Sequence, residues 1–294
     1  MAGSPLLLAV PNVSEGRDAD VIEAIGQGFA PARLLDLHGD TDHHRSVFTL
    51  AASPAELPEA LLGGAREAVA RIDLRDHHGL HPRVGALDVM PVVYLDDGQR
   101  GAACAAVLTA AGLIGEELGV PVVLYGELAT RPEHLRRSDL RAGGREGIAA
   151  RLEAGEIVPD YGPPRAHPMA GAVLAAARPP LVAFNVDLDS DDLELAQRIA
   201  VGLRESGGGL PGVRALGLYL PERGRAQVST NVEDHRLTPL REVVEAVRSQ
   251  APVAEAELVG LAPKAAFARF PEDVPLRGFS PERHLIEYVL RGLT

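Results

Sequence analysis

Histidine side chains that could move a proton are concentrated in the first half of the chain, and His81 has the most informative setting. It stands between a glycine-containing turn and Pro82, where a regular helix cannot continue. The apolar run 84–95 follows directly and predicts a buried strand. A histidine on a loop at the end of a strand suits general acid–base chemistry, because the usual imidazole pKa lies near neutrality. His81 is therefore a candidate general base, with a structural or surface role as the alternative.

Two arginines flank the histidine-bearing segments, Arg45 and Arg83. The planar guanidinium donates two parallel hydrogen bonds to a carboxylate, so both are candidate substrate ligands. The alternative for each is an ordinary surface salt bridge. A polar turn, residues 12–16, follows the first predicted strand, but Ser14 lacks the Gly-x-Ser-x-Gly context of a serine hydrolase.

A metal site is an alternative use of the same histidines, because imidazole and carboxylate groups bind zinc and iron. The possible ligands are His38, His43, His44, His77, His78 and His81, with Asp40, Asp42, Asp73 and Asp76. No His-x-x-x-His or comparable spacing supports such a site. For His43 and His77 the simpler interpretation is a solvated loop histidine. A His/Asp metallohydrolase is thus the less favoured hypothesis.

The composition excludes several classes of partner. The 294 residues are 46% hydrophobic and carry a net charge of −12, as in a globular protein with a well-filled core. That charge argues against nucleic acid or an anionic membrane as a partner. Cys104 is the only cysteine, so no intrachain disulfide is possible. The N-terminus lacks a basic region and a long apolar run, which predicts a cytoplasmic protein.

The order of predicted elements indicates the fold class. The predicted strands are 6–11, 34–38, 45–51, 84–95, 121–127, 180–187, 213–220, 226–233 and 254–261. The predicted helices are 18–29, 54–71, 100–118, 190–205 and 238–250. Each half contains the order β-α-β-β-α-β, which predicts an α+β protein of two ferredoxin-like subdomains with a ligand cleft between them. Residues 129–179 are rich in glycine, proline and arginine, and we expect this long irregular connection to be functional.

Seven segments together resemble the formiminotransferase domain family in its stand-alone form, without a cyclodeaminase domain. They are 10–16 (VPNVSEG), 72–73 (ID), 81–88 (HPRVGALD), 123–127 (VLYGE), 159–163 (PDYGP), 181–185 (LVAFN) and 227–231 (QVSTN). They follow the family's order and cover nearly the whole chain. The resemblance implies an N-terminal subdomain over 1–178 and a C-terminal subdomain over 179–294, which agrees with the pattern of predicted elements.

The resemblance also implies a reaction, the transfer of a formimino group from N-formimino-L-glutamate to tetrahydrofolate in histidine degradation. Tetrahydrofolate would be a co-substrate, no metal would be needed, and the protein would form a homodimer. The family's catalytic histidine falls on His81, and its folate-contacting loop falls on residues 162–171. The residues of that loop are Gly162, Pro163, Pro164, Arg165, Ala166, His167, Pro168, Met169, Ala170 and Gly171. The further expected substrate- or folate-binding residues are Asn12, His38, His44, Arg45, Arg83 and Arg178.

The chain departs from the family's pattern at several positions near the expected site. His38 replaces an aspartate, His44 an asparagine and Leu80 a glutamate, and residues 173–176 replace a threonine-rich stretch. Each change removes a carboxylate or a hydrogen-bonding group. A folate- or pterin-binding relative with lost or altered one-carbon chemistry is therefore the main alternative to the transferase.

Overall fold

The chain divides into two compact units, residues 1–179 and residues 180–294. The computed structural model describes residues 6–78 and 82–291. Each unit has its own sheet and its own helices, so the predicted mixed α+β class is confirmed. None of the described helices is long and apolar enough to cross a bilayer.

A seven-stranded mixed sheet forms the centre of the first unit. Its strands are β1 (Leu7–Ala9), β2 (Asn12–Val13), β3 (Arg33–Asp40), β4 (Arg45–Ala52), β5 (Leu87–Val93), β6 (Val122–Leu124) and β7 (Val173–Arg178). β1 and β2 follow one another between β4 and β5 and pair antiparallel with both, and β3 pairs with β4. β7 lies parallel between β5 and β6.

This strand arrangement brings four loops to one edge of the sheet, which we call the loop edge. β2 ends beside the first residues of β4 and β5, because Val13 pairs with both Ser46 and Leu87. β7 begins at the same end, since it runs parallel to β5. The loop edge therefore consists of residues 14–18, 41–44, 82–86 and 162–172.

Helices cover both faces of this sheet. They are α1 (Ala19–Gly28), α2 (Leu57–Arg71), α3 (Arg100–Glu117), α4 (Arg137–Leu140) and α5 (Gly144–Glu153). Alternate residues of β7 point to opposite faces. Val173, Ala175 and Ala177 pack in the larger core with α1, α2 and α3, whereas Leu174 and Ala176 pack with α4 and α5. The short α4 and α5 thus lie on the face opposite the long helices.

The strand β7 corrects one prediction. Residues 129–179 were expected to form one irregular connection, but residues 173–178 are a buried strand at the centre of the parallel part of the sheet. Because Val173, Leu174, Ala175 and Ala176 are buried in the two cores, their departure from the family's threonines changes the packing of the sheet. These four side chains offer no exposed group to a ligand.

The second unit contains a four-stranded antiparallel sheet in the order β11-β8-β10-β9. Its strands are β8 (Val182–Leu188), β9 (Val213–Leu220), β10 (Arg225–Val232) and β11 (Val253–Val259). Its helices are α6 (Leu193–Leu203), α7 (Leu240–Arg248), α8 (Pro281–His284) and α9 (Ile286–Arg291). Asp192 caps α6 by accepting a hydrogen bond of 2.8 Å from the Leu195 amide, as the Ser-Asp-Asp sequence predicts. α6 and α7 cover the apolar face of the sheet.

Gly217 allows α6 to lie directly against β9. A Cβ atom at this position would lie 2.3 Å from the backbone nitrogen of Gln197 in α6.

We predict that Gly217→Ala lowers the free energy of unfolding of the second unit by about 1–3 kcal/mol, because the helix must move away from the strand. Gly202→Ala in the same helix is the control, since a Cβ there meets nothing within 4 Å and alanine favours helix by up to about 1 kcal/mol. Urea titrations of the two variants that give equal midpoints would contradict this account.

Candidate functional site

Residues 82–86 and the predicted folate loop are joined by backbone hydrogen bonds at the loop edge. The Ala86 amide donates to the Ala170 carbonyl at 2.9 Å, and the Ala172 amide donates to the Val84 carbonyl at 3.0 Å. The Leu74 amide donates to Met169 at 2.9 Å. His81 itself lies outside the described residues, but the segment that follows it is fixed to the loop 162–171.

Two glycines make this close approach possible. A Cβ atom on Gly85 would lie 2.0 Å from the Ala172 carbonyl oxygen, and one on Gly171 would lie 2.1 Å from the Val84 carbonyl oxygen. Gly171 also has a φ of +69°, which favours glycine over other residues. The glycines of the two motifs are therefore required by the contact between the two segments.

His167 holds the end of the predicted folate loop in a tight turn. Its amide and carbonyl exchange hydrogen bonds of 2.8 and 2.9 Å with Gly171, and its Nδ1 accepts from the Ala170 amide at 3.0 Å. Burial lowers the pKa of His167, which keeps Nδ1 free to accept. Gly162, Pro164, Arg165 and Pro168 are exposed, so the loop presents both backbone and a cation to solvent.

Asp88, in β5, is a buried carboxylate next to the loop edge. Its side chain is buried, and one oxygen accepts a hydrogen bond of 2.8 Å from the Val84 amide. The other oxygen forms ion pairs with Arg141, which follows α4, and with Arg45 at 3.7 Å. Asp88 thus connects the segment after His81 to β4 and to the chain after α4.

Arg45 is a buried cation at the start of β4. It donates to Oδ1 of Asn12, whose Nδ2 donates to the Val10 carbonyl at 2.7 Å. The pKa of Arg45 is lowered to about 9, chiefly by burial, and the charges of Arg137 and Arg83 contribute in the same direction. The structure therefore brings Asn12 and Arg45, two of the expected ligands, into direct contact.

Arg83 uses its guanidinium to hold neighbouring segments together. It donates to the carbonyls of His44 and His43 at 3.1 and 3.0 Å, and Nη1 lies 2.7 Å from Nδ1 of His77. Nε2 of His77 lies 2.8 Å from the Ser14 carbonyl and 2.8 Å from the same Nη1 atom of Arg83. Because a guanidinium can only donate hydrogen bonds, its contact with the ring favours a neutral imidazole. Burial lowers the pKa of His77 to about 4, and the charge of Arg83 acts in the same direction.

His44 contacts the ring of His77 in a tilted arrangement, and its backbone conformation is uncommon. Its φ is 49°, and the two ring centroids are 4.0 Å apart. Nδ1 of His44 accepts from the Gly16 amide at 3.1 Å, and Glu15 lies 3.3 Å from the same atom. Burial is the largest cause that lowers the pKa of His44, whereas Glu15 raises it. The acceptor role at Nδ1 fits a neutral ring.

The prediction that His43 and His77 are solvated loop histidines is wrong. His43 is 7% exposed and lies 3.3 Å from Asp40, which also accepts from the His43 amide at 2.7 Å. His77 is half-buried between Ser14, His44 and Arg83. A guanidinium so close to the His44–His77 pair disfavours a metal cation at these two rings, because like charges repel.

Among the other expected ligands, His38 lies near this group and Arg178 does not. His38 is half-buried within β3, where it pairs with Val47, and a ring nitrogen lies within 4.8 Å of a carboxylate oxygen of Asp40. Arg178 ends β7 and pairs with Val93, whereas the loop 162–171 precedes the other end of that strand. Five residues at about 3.3 Å each separate the two ends by roughly 17 Å. The structure does not bring Arg178 to the loop edge.

Three charged residues next to the loop edge were not identified from the sequence as candidate site residues, namely Asp88, Arg137 and Arg141. Asp88 interrupts an apolar run that was predicted as a buried strand, and a buried carboxylate needs a cationic partner. Arg137 and Arg141 are four residues apart, a spacing that places both on one face of a helical turn. These two signals were available, but the pairing itself joins residues that are 53 positions apart.

Family models match both units of the chain. Residues 6–178 match the model of the formiminotransferase domain, N-terminal subdomain, and residues 183–271 match the model of the formiminotransferase domain.

Curated relatives match over most of the chain. It is 37% identical over 292 residues to a glutamate formimidoyltransferase of Streptococcus pyogenes serotype M1, which covers 96% of the chain and 98% of the relative. It is 36% identical to a glutamate formimidoyltransferase of Thermoplasma acidophilum, with 89% of each chain covered. A formimidoyltransferase-cyclodeaminase of Sus scrofa is 42% identical over 88% of this chain, which spans 50% of that protein.

We predict that Asp88→Asn lowers the free energy of unfolding by about 3–5 kcal/mol, because it leaves the buried Arg45 and Arg141 without their carboxylate. Glu117→Gln is the control, since the pair of Glu117 with Arg66 at 2.9 Å is exposed and such pairs contribute under about 1 kcal/mol. Urea titration measures both changes. A loss for Asp88→Asn no larger than that of the control would contradict the central role of Asp88.

The low pKa of His77 predicts a loss of stability in mild acid. The unfolded chain takes up the proton near the ordinary value of 6.5, whereas the folded protein resists it down to about 4. The free energy of unfolding should therefore fall as the pH decreases from about 6.5 to about 4. His77→Asn should reduce this slope, and His78→Asn at an exposed position should not. Equal slopes in chemical unfolding of the two variants would show that His77 is not responsible.

Proposed function

The chain belongs to the formiminotransferase family, and from this premise we propose that it transfers a formimino group from N-formimino-L-glutamate to tetrahydrofolate. It is an enzyme of the transferase class. The proposal names two small anionic substrates and no metal. Both substrates carry glutamate carboxylates, so a site with positive charge is needed to bind them.

One observation carries the proposal within the structure. The segment that follows His81 and the loop 162–171 are hydrogen-bonded to each other through Val84, Ala86, Ala170 and Ala172. The segment that begins directly after the proposed base in the sequence and the proposed folate loop are therefore neighbours at one edge of the sheet. A transferase needs this proximity, because the base must act on a nitrogen of the bound folate.

The proposed role of His81 is to move one proton between two nitrogens. The acceptor nitrogen of tetrahydrofolate attacks the amidine carbon of the donor and forms the new carbon–nitrogen bond, and His81 takes its proton. The bond between that carbon and the α-nitrogen of glutamate then breaks, and His81 returns the proton to the departing nitrogen. The products are formimino-tetrahydrofolate and glutamate, and the base is regenerated.

The order of the elements in each unit supports a more specific proposal about the fold. We infer that each unit is built on a ferredoxin-like core, with the N-terminal subdomain over 1–178 and the C-terminal subdomain over 179–294. In the second unit, the element order β8-α6-β9-β10-α7-β11 and the strand order β11-β8-β10-β9 support this assignment. In the first unit the additional strands β6 and β7 extend the sheet beyond β5.

The remaining expectations stay predictions. The exposed backbone of the loop 162–171 and the cation of Arg165 suit contact with folate, and Asn12 suits hydrogen bonding of a substrate. Roles for His38, His44 and Arg178 in binding, a ligand cleft, a homodimer and a cytoplasmic location are likewise predictions from the sequence.

We predict that His81→Ala lowers turnover by about two to four orders of magnitude with little change in folate affinity, because the base acts on the proton and not on binding. The measurement is formimino transfer from N-formimino-L-glutamate to tetrahydrofolate, together with calorimetric binding of a folate. His78→Ala is the matched control at an exposed neighbouring position and should retain wild-type turnover.

The outcomes of this experiment separate the hypotheses. Folate binding without turnover in the wild-type protein would favour a folate-binding relative that has lost or altered its chemistry. Normal turnover in His81→Ala would remove His81 from the mechanism. Stoichiometric zinc or iron in purified protein would count against the transferase.

A further inference from the structure

We propose that the arginines around Asp88, namely Arg45, Arg137 and Arg141, bind the carboxylates of the formimino donor and not those of folate. The inference rests on the proposed transferase function and deepens it by assigning one substrate to one group of residues. Three observations support the inference. Arginines are concentrated around Asp88, several of their hydrogen-bond donors have no described acceptor, and Asp88 is bonded to the segment that follows His81 in the sequence.

Positive charge is concentrated around Asp88. Arg45 and Arg141 both form ion pairs with its carboxylate. Arg137 and Arg83 are close enough to lower the pKa of Arg45, and Arg45 and Arg83 have the same effect on Arg141 after the larger effect of burial. Like charges held together away from water cost free energy, and a bound anion would offset that cost.

Several hydrogen-bond donors of the cluster lack an acceptor within the described part of the chain. Nε of Arg141 is buried and donates to no described atom. The hydroxyl of Tyr125, close enough to raise the pKa of Arg45, is also buried with no hydrogen-bond partner there. The half-buried Arg137 forms neither an ion pair nor a side-chain hydrogen bond with any described residue. Buried donors are normally satisfied, so this arrangement fits a ligand rich in oxygen acceptors.

The position of the cluster distinguishes the two substrates. Arg83 follows His81 by two residues, so covalent geometry keeps their Cα atoms within about 7 Å. Val84, the next residue, donates to Asp88 itself. The carboxylates of the donor lie one and three carbons from the carbon that bears its reacting amidine. In tetrahydrofolate a benzoyl group separates the glutamate from either possible acceptor nitrogen. Carboxylates bound next to the proposed base therefore belong to the donor.

Calorimetric titration of N-formimino-L-glutamate into the full chain without folate tests this assignment. Arg137→Gln should weaken donor binding by about tenfold, the effect of losing one charge-assisted hydrogen bond. The variant should fold normally, because Arg137 has no described ion pair to lose. Arg136→Gln is the matched control, with the same charge change at the exposed neighbouring residue, and should bind the donor within about twofold of wild type.

Two further measurements decide between donor and folate. The KM for tetrahydrofolate should stay within about twofold in Arg137→Gln, while the KM for the donor rises. Formamidine, which carries the reacting group without carboxylates, should bind wild type and Arg137→Gln equally. Donor binding that is unchanged in Arg137→Gln, or a loss that falls on tetrahydrofolate, would overturn the assignment.

The same measurements distinguish a failure of the proposed reaction from a failure of the proposed carboxylate site. If the wild-type protein binds the donor and Arg137→Gln weakens that binding, but no formimino group is transferred, the carboxylate site stands and the reaction does not. If the wild-type protein fails to bind the donor at all, the carboxylate site is refuted.

Discussion

The ion pairs of Asp88 are the interaction on which the loop edge depends. A carboxylate buried in a strand must be compensated, and here it is compensated by arginines from two other parts of the chain and by the Val84 amide. Because each partner belongs to a different element, the position of Asp88 fixes β4, β5 and the chain after α4 relative to one another. The Val84 amide donates to Asp88, so these interactions also hold residues 82–86, whose backbone contacts residues 162–172. Gly85 and Gly171 allow the two segments to approach closely.

Much of the fold could be predicted from local pattern, because the strands and helices follow the alternation of apolar residues. The strand predicted over 213–220 is β9 with the same bounds, and most other elements agree within a few residues. β7 was missed because Val173 is followed by leucine and three alanines, and an apolar run with a single β-branched residue does not distinguish a strand from other buried segments. Its place between β5 and β6 is set by parallel pairing with distant strands, which no local pattern reports.

The candidate site was predictable in part. The motif glycines Gly16, Gly85 and Gly171 lie where backbone segments approach closely, which explains why the motifs contain them. Arg45 and Asn12 were expected from their residue types, and they are in contact. The role of Arg141 depends on its pairing with Asp88, which is 53 positions away, so sequence spacing alone gave no partner for it. Arg83 was expected to bind a ligand, yet its described hydrogen bonds connect the loop edge to itself.

The charge states of His77, Arg45 and Arg83 have a consequence for how the enzyme's chemistry can be observed. His77 gains a proton only near pH 4, and Arg45 and Arg83 lose theirs only near pH 9 and pH 10. Between these limits the electrostatic potential contributed by these groups is constant. Any ionisation that appears in a rate profile near neutrality must then come from a group other than these three residues, whose constant charge does not obscure the titration of another histidine.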